Sequence, residues 1–313
     1  MMRLIIRRLG LSIVLVLVVS ALTFVLASLT PGDAARSILG SHYTPEQYAQ
    51  LRHQLGLDES LPAQYWHWLR DALHGSLGTS VFNGQPVGQA IAERLGATLS
   101  LVAGTLLVSA VVGVGIGVLA ALRGGVGARV VDLLALVGFA LPSFWLGLVL
   151  VAVFAVGVHM LPATGYVAIA DSPGGWLESL VLPVATLSVG AIAVIAKQAR
   201  DAVLDVLDRE FVWCLRARGL SERRIIVRHV LRNAGIPIVT VLGLVSVGLL
   251  SGTVLVEAVF AVPGLGGQAV QATSAHDLPV VQGVAVAFTL IVVAVNLLID
   301  LAYGWLNPKA RIT

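Results

Sequence analysis

Long stretches without a charged side chain dominate this chain of 313 residues. A bilayer core about 30 Å thick is crossed by roughly 20 apolar residues of helix. Six uncharged apolar runs reach or approach that length, at residues 9–32, 95–122, 133–158, 179–196, 233–256 and 278–299. His159, Pro162 and Gly165 favour a turn after the third run. The sequence therefore predicts an all-α polytopic membrane protein with six transmembrane helices.

Composition excludes the soluble classes of protein. The apolar set AVILMFWYC makes up 57% of the chain and charged residues only 12%, whereas soluble domains carry about 25% charged residues. A soluble enzyme, a secreted domain and a disordered chain are therefore excluded. A single cysteine, Cys214, rules out an internal disulfide and any cysteine-based metal centre. The seven histidines are scattered, so no metal site is predicted. No nucleic-acid partner is expected either.

The distribution of basic residues predicts the orientation. Sixteen of the 20 Lys and Arg residues fall in segments that share one side if the N-terminus is inside, and the other four lie beside six acids in one long segment. The positive-inside rule then places both termini in the cytoplasm. The first apolar run is long for a cleavable signal, so an uncleaved anchor is expected.

Three regions are predicted along the chain. Residues 1–30 form the cytoplasmic N-terminus and first span, 31–96 an extracytoplasmic surface segment, and 97–313 a five-helix core with a cytoplasmic coupling loop near 201–232. In the surface segment, Thr44, Pro45 and Gln47 predict a capped helix start. An amphipathic stretch at 64–69 suits the headgroup level. This segment either shields the spans or docks an external partner.

The inner connection between the fourth and fifth runs has two helical stripes. It holds nine basic and five acidic residues. Gly219 separates the stripes, and Ser221 followed by Glu222 predicts a new helix start. The two apolar stripes are Val203, Val206, Leu207, Phe211 and Cys214, then Ile225, Ile226, Val230 and Leu231. Docking of a soluble partner and anchoring to anionic lipid remain equal alternatives on these residues alone.

Several kinds of chemistry are absent from the sequence. No G-x-x-x-x-G-K-[ST] loop occurs, so the chain is not predicted to be an enzyme and no catalytic residue is assigned. The centres of the six runs lack Asp, Glu, Lys and Arg, which disfavours a secondary carrier. A purely structural membrane subunit remains possible.

The glycine-rich run 263–267 is expected to form a tight, re-entrant-type turn. The candidate residues at the outer mouth of a translocation pathway are Glu257, Pro263, Gly264 and Gly266.

The inner connection resembles one known family. The family stretch A-R-A-K-G-L-S-E-R-R…H-x-L-R-N-A…P is matched from Arg216 to Pro237. Its first part here is Arg216, Ala217, Arg218, Gly219, Leu220, Ser221, Glu222, Arg223 and Arg224. A further match is the E-x-x-F…P-G-L-G…D-Y-P signature from Glu257 to Pro279, in which Leu278 replaces the usual Tyr after Asp277. The closing N-x-x-x-D…Y…D-P pattern is also matched, with Asn307 in place of the usual Asp before Pro308. Over essentially its whole length, the chain resembles the B-type permeases of dipeptide and oligopeptide ATP-binding-cassette importers.

The resemblance implies a type I importer permease in a bacterial cytoplasmic membrane. Its expected partners are a second permease, two cytoplasmic ATPase subunits or domains, an extracytoplasmic substrate-binding protein and membrane lipid. ATP and Mg would bind the ATPases, so no cofactor is expected on this chain. Short peptides are the implied substrate, and nickel or another small solute is the alternative. Trp213, Cys214 and Leu215 depart from the usual Arg-Thr-Ala.

The resemblance also makes residues 216–224 the element that couples ATP hydrolysis to transport. We expect a stiff helix starting near Ser221 and capped by its hydroxyl, after a bend at Gly219 with positive φ. Ala217 leaves room for contact, and Arg216, Arg223 and Arg224 are expected to pair with acids of the ATPase.

Overall fold

A computed structural model describes residues 2–30, 32–40 and 42–306. Within those ranges the chain is helical, with one isolated β-bridge between Thr79 and Pro86. Pro31, the first residue of the predicted surface segment, and the closing residues Asn307 and Pro308 lie outside the described residues. The α-helices are α1 (Met2–Ser28), α2 (Ala34–Leu39), α3 (Pro45–Gln54), α4 (Leu61–Leu73), α5 (Val87–Arg123), α6 (Gly125–Ala140), α7 (Ser143–Leu150), α8 (Pro173–Leu207), α9 (Glu210–Ala217), α10 (Glu222–Ile225), α11 (Leu231–Val259), α12 (Leu265–Ala275) and α13 (Leu278–Leu306).

The predicted count of six spans is not confirmed. Among the described residues, five helices are long and apolar enough to cross a bilayer: α1, α5, α8, α13 and the continuous helix Glu222–Val259. The third predicted run breaks at Leu141 and Pro142, between α6 and α7. Proline lacks the amide hydrogen and pushes the preceding residue out of the helical region, and Leu141 has an extended backbone (ψ 125°). A shorter apolar helix, Ser143–Gly157, follows and ends in π-helical turns.

The described chain divides into two compact units. Of the described residues, the core unit comprises 99–262 and 294–306, and the N-terminal unit comprises those within 2–98 and 263–293. In the core unit, α8 packs against α11, α6 and α7.

Close packing in the core unit depends on a glycine of α5. A Cβ atom on Gly117 would collide with the carbonyl oxygen of Ala196 and lie 2.8 Å from the Cβ of Ala199, both on α8. Only glycine allows the two backbones to approach this closely.

The N-terminal unit confirms the helix signals read from the surface segment. Thr44 and Gln47 form a reciprocal capping box, and Pro45 is the first residue of α3. Gly56 follows that helix with φ +68°. Helix α4 lies on α1, because the Tyr65 ring packs edge-on against Phe24 with 5.5 Å between centroids.

Candidate coupling site and outer-mouth residues

The predicted coupling loop consists of two short helices, α9 and α10, joined by a turn at Gly219. Gly219 has φ +77°, as expected, in the left-handed region that disfavours side chains. Apart from its two chain neighbours, no described residue has an atom within 4 Å of where its Cβ would stand. Glycine is therefore needed here for backbone conformation and not for space.

The expected hydroxyl cap at Ser221 is wrong. Ser221 stands at the N-cap position of α10, but its side chain makes no capping hydrogen bond. A capping hydroxyl would accept a hydrogen bond from the N–H of Arg224. That N–H donates instead to the backbone carbonyl of Ser221 at 2.9 Å. The stiffness of this helix start must therefore come from another contact.

An ion pair across the turn supplies that contact. Arg216 Nε donates to Glu222 Oε1 at 2.7 Å, and Arg216 Nη2 donates to Oε2 at 3.3 Å. This hydrogen bond holds the pKa of Glu222 below its usual value and outweighs the opposing effect of desolvation. Arg216 was expected to pair with a partner ATPase, yet its charge is engaged within the chain. Arg218, Arg223 and Arg224 are exposed on the same element.

The inward side of the coupling loop is packed into the core unit. Val212 of α9, Ile225 of α10 and Val230 are fully buried. They join one apolar cluster with residues from α5, α8 and α11: Ala121, Ala199, Ala202, Val203, Val206, Ala234 and Ile238. A displacement of α9 or α10 must therefore displace the ends of these longer helices, because close-packed side chains transmit strain.

The first predicted apolar stripe is partly wrong. Val203 and Val206 are buried as expected, but Cys214 is exposed and Val212 takes the buried position. Helix α8 ends at Leu207 and α9 starts at Glu210, so the helical register does not continue across the junction. In the second stripe, Ile225 and Val230 are buried and Ile226 and Leu231 are half-buried.

The coupling helix continues into a long apolar helix. After α10 the chain passes through π-helical turns, Ile226–Val230, directly into α11. The resulting helix, Glu222–Val259, has 38 residues, which is roughly 55 Å at the usual rise per residue. At the other end of the loop, α8 also continues from an apolar span to Leu207. The sequence did not reveal this continuity. The charged residues in both segments show where the chain leaves the apolar span, but they do not show where the helix ends.

A second ion pair joins two helices of the core unit. Arg200 Nη1 of α8 lies 2.8 Å from Asp132 Oδ1 of α6. Both residues are close to charged segments in the sequence, but they are 68 residues apart, and no pattern around either residue identifies the other as its partner.

The outer-mouth candidates are divided between the two units. Glu257 lies near the end of α11 in the core unit and is buried, 1% exposed. Pro263, Gly264 and Gly266 belong to the N-terminal unit, where Gly264 and Gly266 are buried.

The expected glycine turn at 263–267 is not formed. Gly264 has φ −101° and precedes α12, which begins at Leu265. The left-handed residue near this point is Ala261, with φ +51°. Within the N-terminal unit, Thr98 Oγ1 of α5 accepts the N–H of Leu265 at 2.9 Å and so caps α12. A role of this segment at the mouth of a pathway stays a prediction.

A buried carboxylate holds the start of α13. Asp277, only 4% exposed, accepts a hydrogen bond from Ser80 Oγ at 2.5 Å and a longer one from the N–H of Val81. The turn at residues 79–86 is thereby tied to α13. The resemblance had singled out this aspartate, and the structure assigns it a local positioning role.

Comparison with known proteins decides the family. The profile described as "Binding-protein-dependent transport system inner membrane component" matches residues 113–312, and the profile of its N-terminal region matches residues 1–102. The chain belongs to this family. The resemblance found in the sequence is therefore confirmed, and the protein is a multi-pass membrane component of a transport system.

Relatives match this permease over its whole length. A probable peptide ABC transporter permease of Sinorhizobium fredii is 41% identical, covering 98% of both chains. A putative peptide transport system permease of Brucella abortus is 41% identical over 99% of each. The dipeptide transport system permease DppB of Escherichia coli is 35% identical over 99% of each.

The fold of the permease also matches a solved structure. The methionine ABC transporter MetNI, described in inward-facing conformations, aligns with a TM-score of 0.53 at 18% identity. The alignment covers 70% of this chain and 97% of that one. The predicted class, an all-helical type I importer permease, is thus confirmed.

Proposed function

We propose that this permease forms part of the translocation pathway of an ATP-driven importer of short peptides. The observation that carries the proposal is the geometry of the α9–α10 segment, residues 210–225. It exposes Arg218, Arg223 and Arg224 and packs Val212, Leu220 and Ile225 into one cluster with residues of α5, α8 and α11. The substrate is inferred from full-length relatives that are described as peptide or dipeptide permeases.

The proposed mechanism uses the coupling element as a lever. Two ATPase subunits or domains close on ATP and move α9 and α10 through their exposed arginines. The Arg216–Glu222 pair keeps the turn from flexing. The apolar cluster passes the displacement to α8 and to the helix Glu222–Val259. Movement of these two long helices alternately opens a cavity shared with a second permease.

Partners and cofactors follow from the same proposal. The chain lies in a bacterial cytoplasmic membrane with both termini in the cytoplasm, and lipid surrounds its spans. ATP and Mg bind the partner ATPases, and this chain needs no cofactor or catalytic residue of its own. An extracytoplasmic binding protein delivers the peptide to the surface segment 31–96, in which α3 has no buried residue and is open to contact.

Reconstitution tests the proposed function. The permease is assembled in vesicles with its second permease, ATPases and binding protein, and uptake of a radiolabelled dipeptide is measured with ATP or with a non-hydrolysable analogue. We expect uptake only with ATP. Uptake driven by a proton gradient alone, or uptake of nickel without uptake of dipeptide, would contradict the proposal.

A further inference from the structure

A cavity of about 450 Å³ lies within the N-terminal unit. This volume falls in the usual range for small-molecule sites. Its apolar wall includes Phe24 and Ala27 near the end of α1, and Leu278 and Val281 near the start of α13. Asp33, Arg52 and Glu59 also line it, so the cavity combines apolar surface with charge.

Two side chains that line the cavity each carry a buried polar atom that has no hydrogen-bond partner among the described residues. These atoms are Trp68 Nε1, a donor, and Gln282 Oε1, an acceptor. The Gln282 side chain is completely buried, and its amide nitrogen donates to the backbone oxygen of Ser20 at 2.7 Å. Buried polar atoms in folded proteins are normally satisfied. A ligand that offers both an acceptor and a donor would satisfy this pair, and a peptide group offers both.

The charges around the cavity favour a ligand with a positive group. The side chains that line it include two carboxylates, Asp33 and Glu59, and one guanidinium, that of Arg52. Arg52 already donates to Asp33 Oδ2 at 3.0 Å and to the backbone oxygen of Leu57 at 3.0 Å. Glu59 pairs with a histidine, with 3.1 Å between His67 Nδ1 and Glu59 Oε2. An added ammonium group would therefore balance the excess negative charge.

We propose that this cavity is a binding site for a short peptide with a free amino terminus. The ammonium group lies near Glu59, the peptide group pairs with Trp68 Nε1 and Gln282 Oε1, and an apolar side chain packs against Phe24, Leu278 and Val281. The identity of the ligand rests on the proposed function, but the site lies on the permease itself and needs neither the ATPases nor the binding protein.

Binding to the purified full-length permease in mild detergent tests the site. The probe is a dipeptide of alanine and leucine, followed by calorimetry. We expect saturable binding, and about tenfold weaker binding of the N-acetylated dipeptide, since a charge-assisted hydrogen bond is lost.

Substitutions that remove the two unsatisfied atoms sharpen the test. Trp68→Phe and Gln282→Met should each weaken peptide binding about three- to tenfold. Without peptide, the melting temperature of Trp68→Phe should stay equal or rise, because an unsatisfied buried donor is removed. That of Gln282→Met should fall, because this variant also loses the hydrogen bond to the Ser20 backbone oxygen. A merely structural role of Trp68 would lower the melting temperature of Trp68→Phe instead. Trp66→Phe and Gln89→Met are matched controls, because both residues are exposed and neither lines the cavity.

Two outcomes would overturn the site. One is the absence of saturable binding, or equal affinity for the free and acetylated dipeptides. The other is native mass spectrometry showing lipid or detergent in the cavity that excess dipeptide does not displace. If ATP-driven uptake by the full complex persists in either case, the cavity site is wrong and the proposed function stands.

Discussion

Arg216 and Glu222 form a two-bond ion pair that closes the turn between α9 and α10. The turn contains Gly219 in the left-handed region, and its flanks carry the exposed arginines that the resemblance assigns to ATPase contact. The pair therefore joins α9 to α10 across the glycine turn that separates them.

Reversal of this ion pair should separate coupling from assembly. Glu222→Arg leaves two like charges across the turn, so we expect ATP-driven uptake to fall severalfold while the complex still assembles. The double variant Arg216→Glu with Glu222→Arg should recover much of the uptake, because the pair is restored with opposite polarity. The measurement is uptake per ATP hydrolysed in vesicles. Equal uptake in the single and double variants would show that the pair has no role in coupling.

Gly219→Val should uncouple ATP hydrolysis from uptake. A β-branched side chain at φ +77° adds about 1–3 kcal/mol of backbone strain. The backbone relieves this strain by changing its dihedral angles at the turn, and the direction of α10 changes with them. Gly219→Asn is the matched control, because asparagine tolerates the left-handed region and nothing lies within 4 Å of the Cβ position. ATPase activity and uptake are measured together. The prediction fails if Val and Asn behave alike.

Gly117→Ala should destabilise the core unit, although alanine is the better helix former. The added Cβ meets the backbone of α8 at Ala196 and cannot be accommodated without a shift of the helix. We expect a loss of about 1–3 kcal/mol in stability, seen as a lower melting temperature in detergent. Gly115→Ala on the same helix meets no atom within 4 Å and should be neutral or slightly stabilising. Equal effects of the two variants would contradict this packing.

Acid should loosen the surface segment through Asp33. Burial by itself raises the pKa of this carboxyl, but the hydrogen bonds from Tyr48 and the Arg36 N–H, together with the charge of Arg52, lower it below 3.8. A carboxyl whose pKa is depressed by folding stabilises the fold above its unfolded pKa, and this contribution disappears as the pH falls through the folded value. Protection of α2 and α3 in hydrogen exchange should therefore decline below about pH 4.

Tyr48→Phe should move that acid transition to higher pH. The variant removes the hydroxyl that donates to Asp33 Oδ2 at 2.6 Å and so raises the pKa of Asp33. Tyr43→Phe serves as the control, since Tyr43 stacks on Tyr48 without being among the groups that shift Asp33. An unchanged transition in Tyr48→Phe would remove Asp33 as its cause.

The single cysteine provides a direct test of orientation. Cys214 is exposed on α9, so an impermeant thiol reagent should label the unmodified protein only from the cytoplasmic side of oriented vesicles. Asp71 is exposed on α4, and the variant Asp71→Cys with Cys214→Ser should be labelled only from outside. Labelling of both proteins from the same side would contradict the proposed topology.

Local signals in the sequence were sufficient for the helix starts and turns. The capping box of Thr44 and Gln47 and the positive φ of Gly219 depend on residues within one turn of the chain. Residue type alone decides such features, since a side chain that caps a helix or a missing Cβ acts on its own backbone. Pro142 was an equally local signal for the break in the third apolar run, which the sequence prediction treats as one continuous span.

The sequence by itself determined that this chain is a helical membrane protein, because apolar length and the placement of charge are properties of residues in order along the chain. Only the tertiary structure decided that Val212 and not Cys214 faces the core, that Arg216 pairs with Glu222, and that Gln282 reaches α1. Each of these outcomes depends on the relative rotation and distance of separate helices. Packing of the whole unit sets those quantities, and no local pattern encodes them.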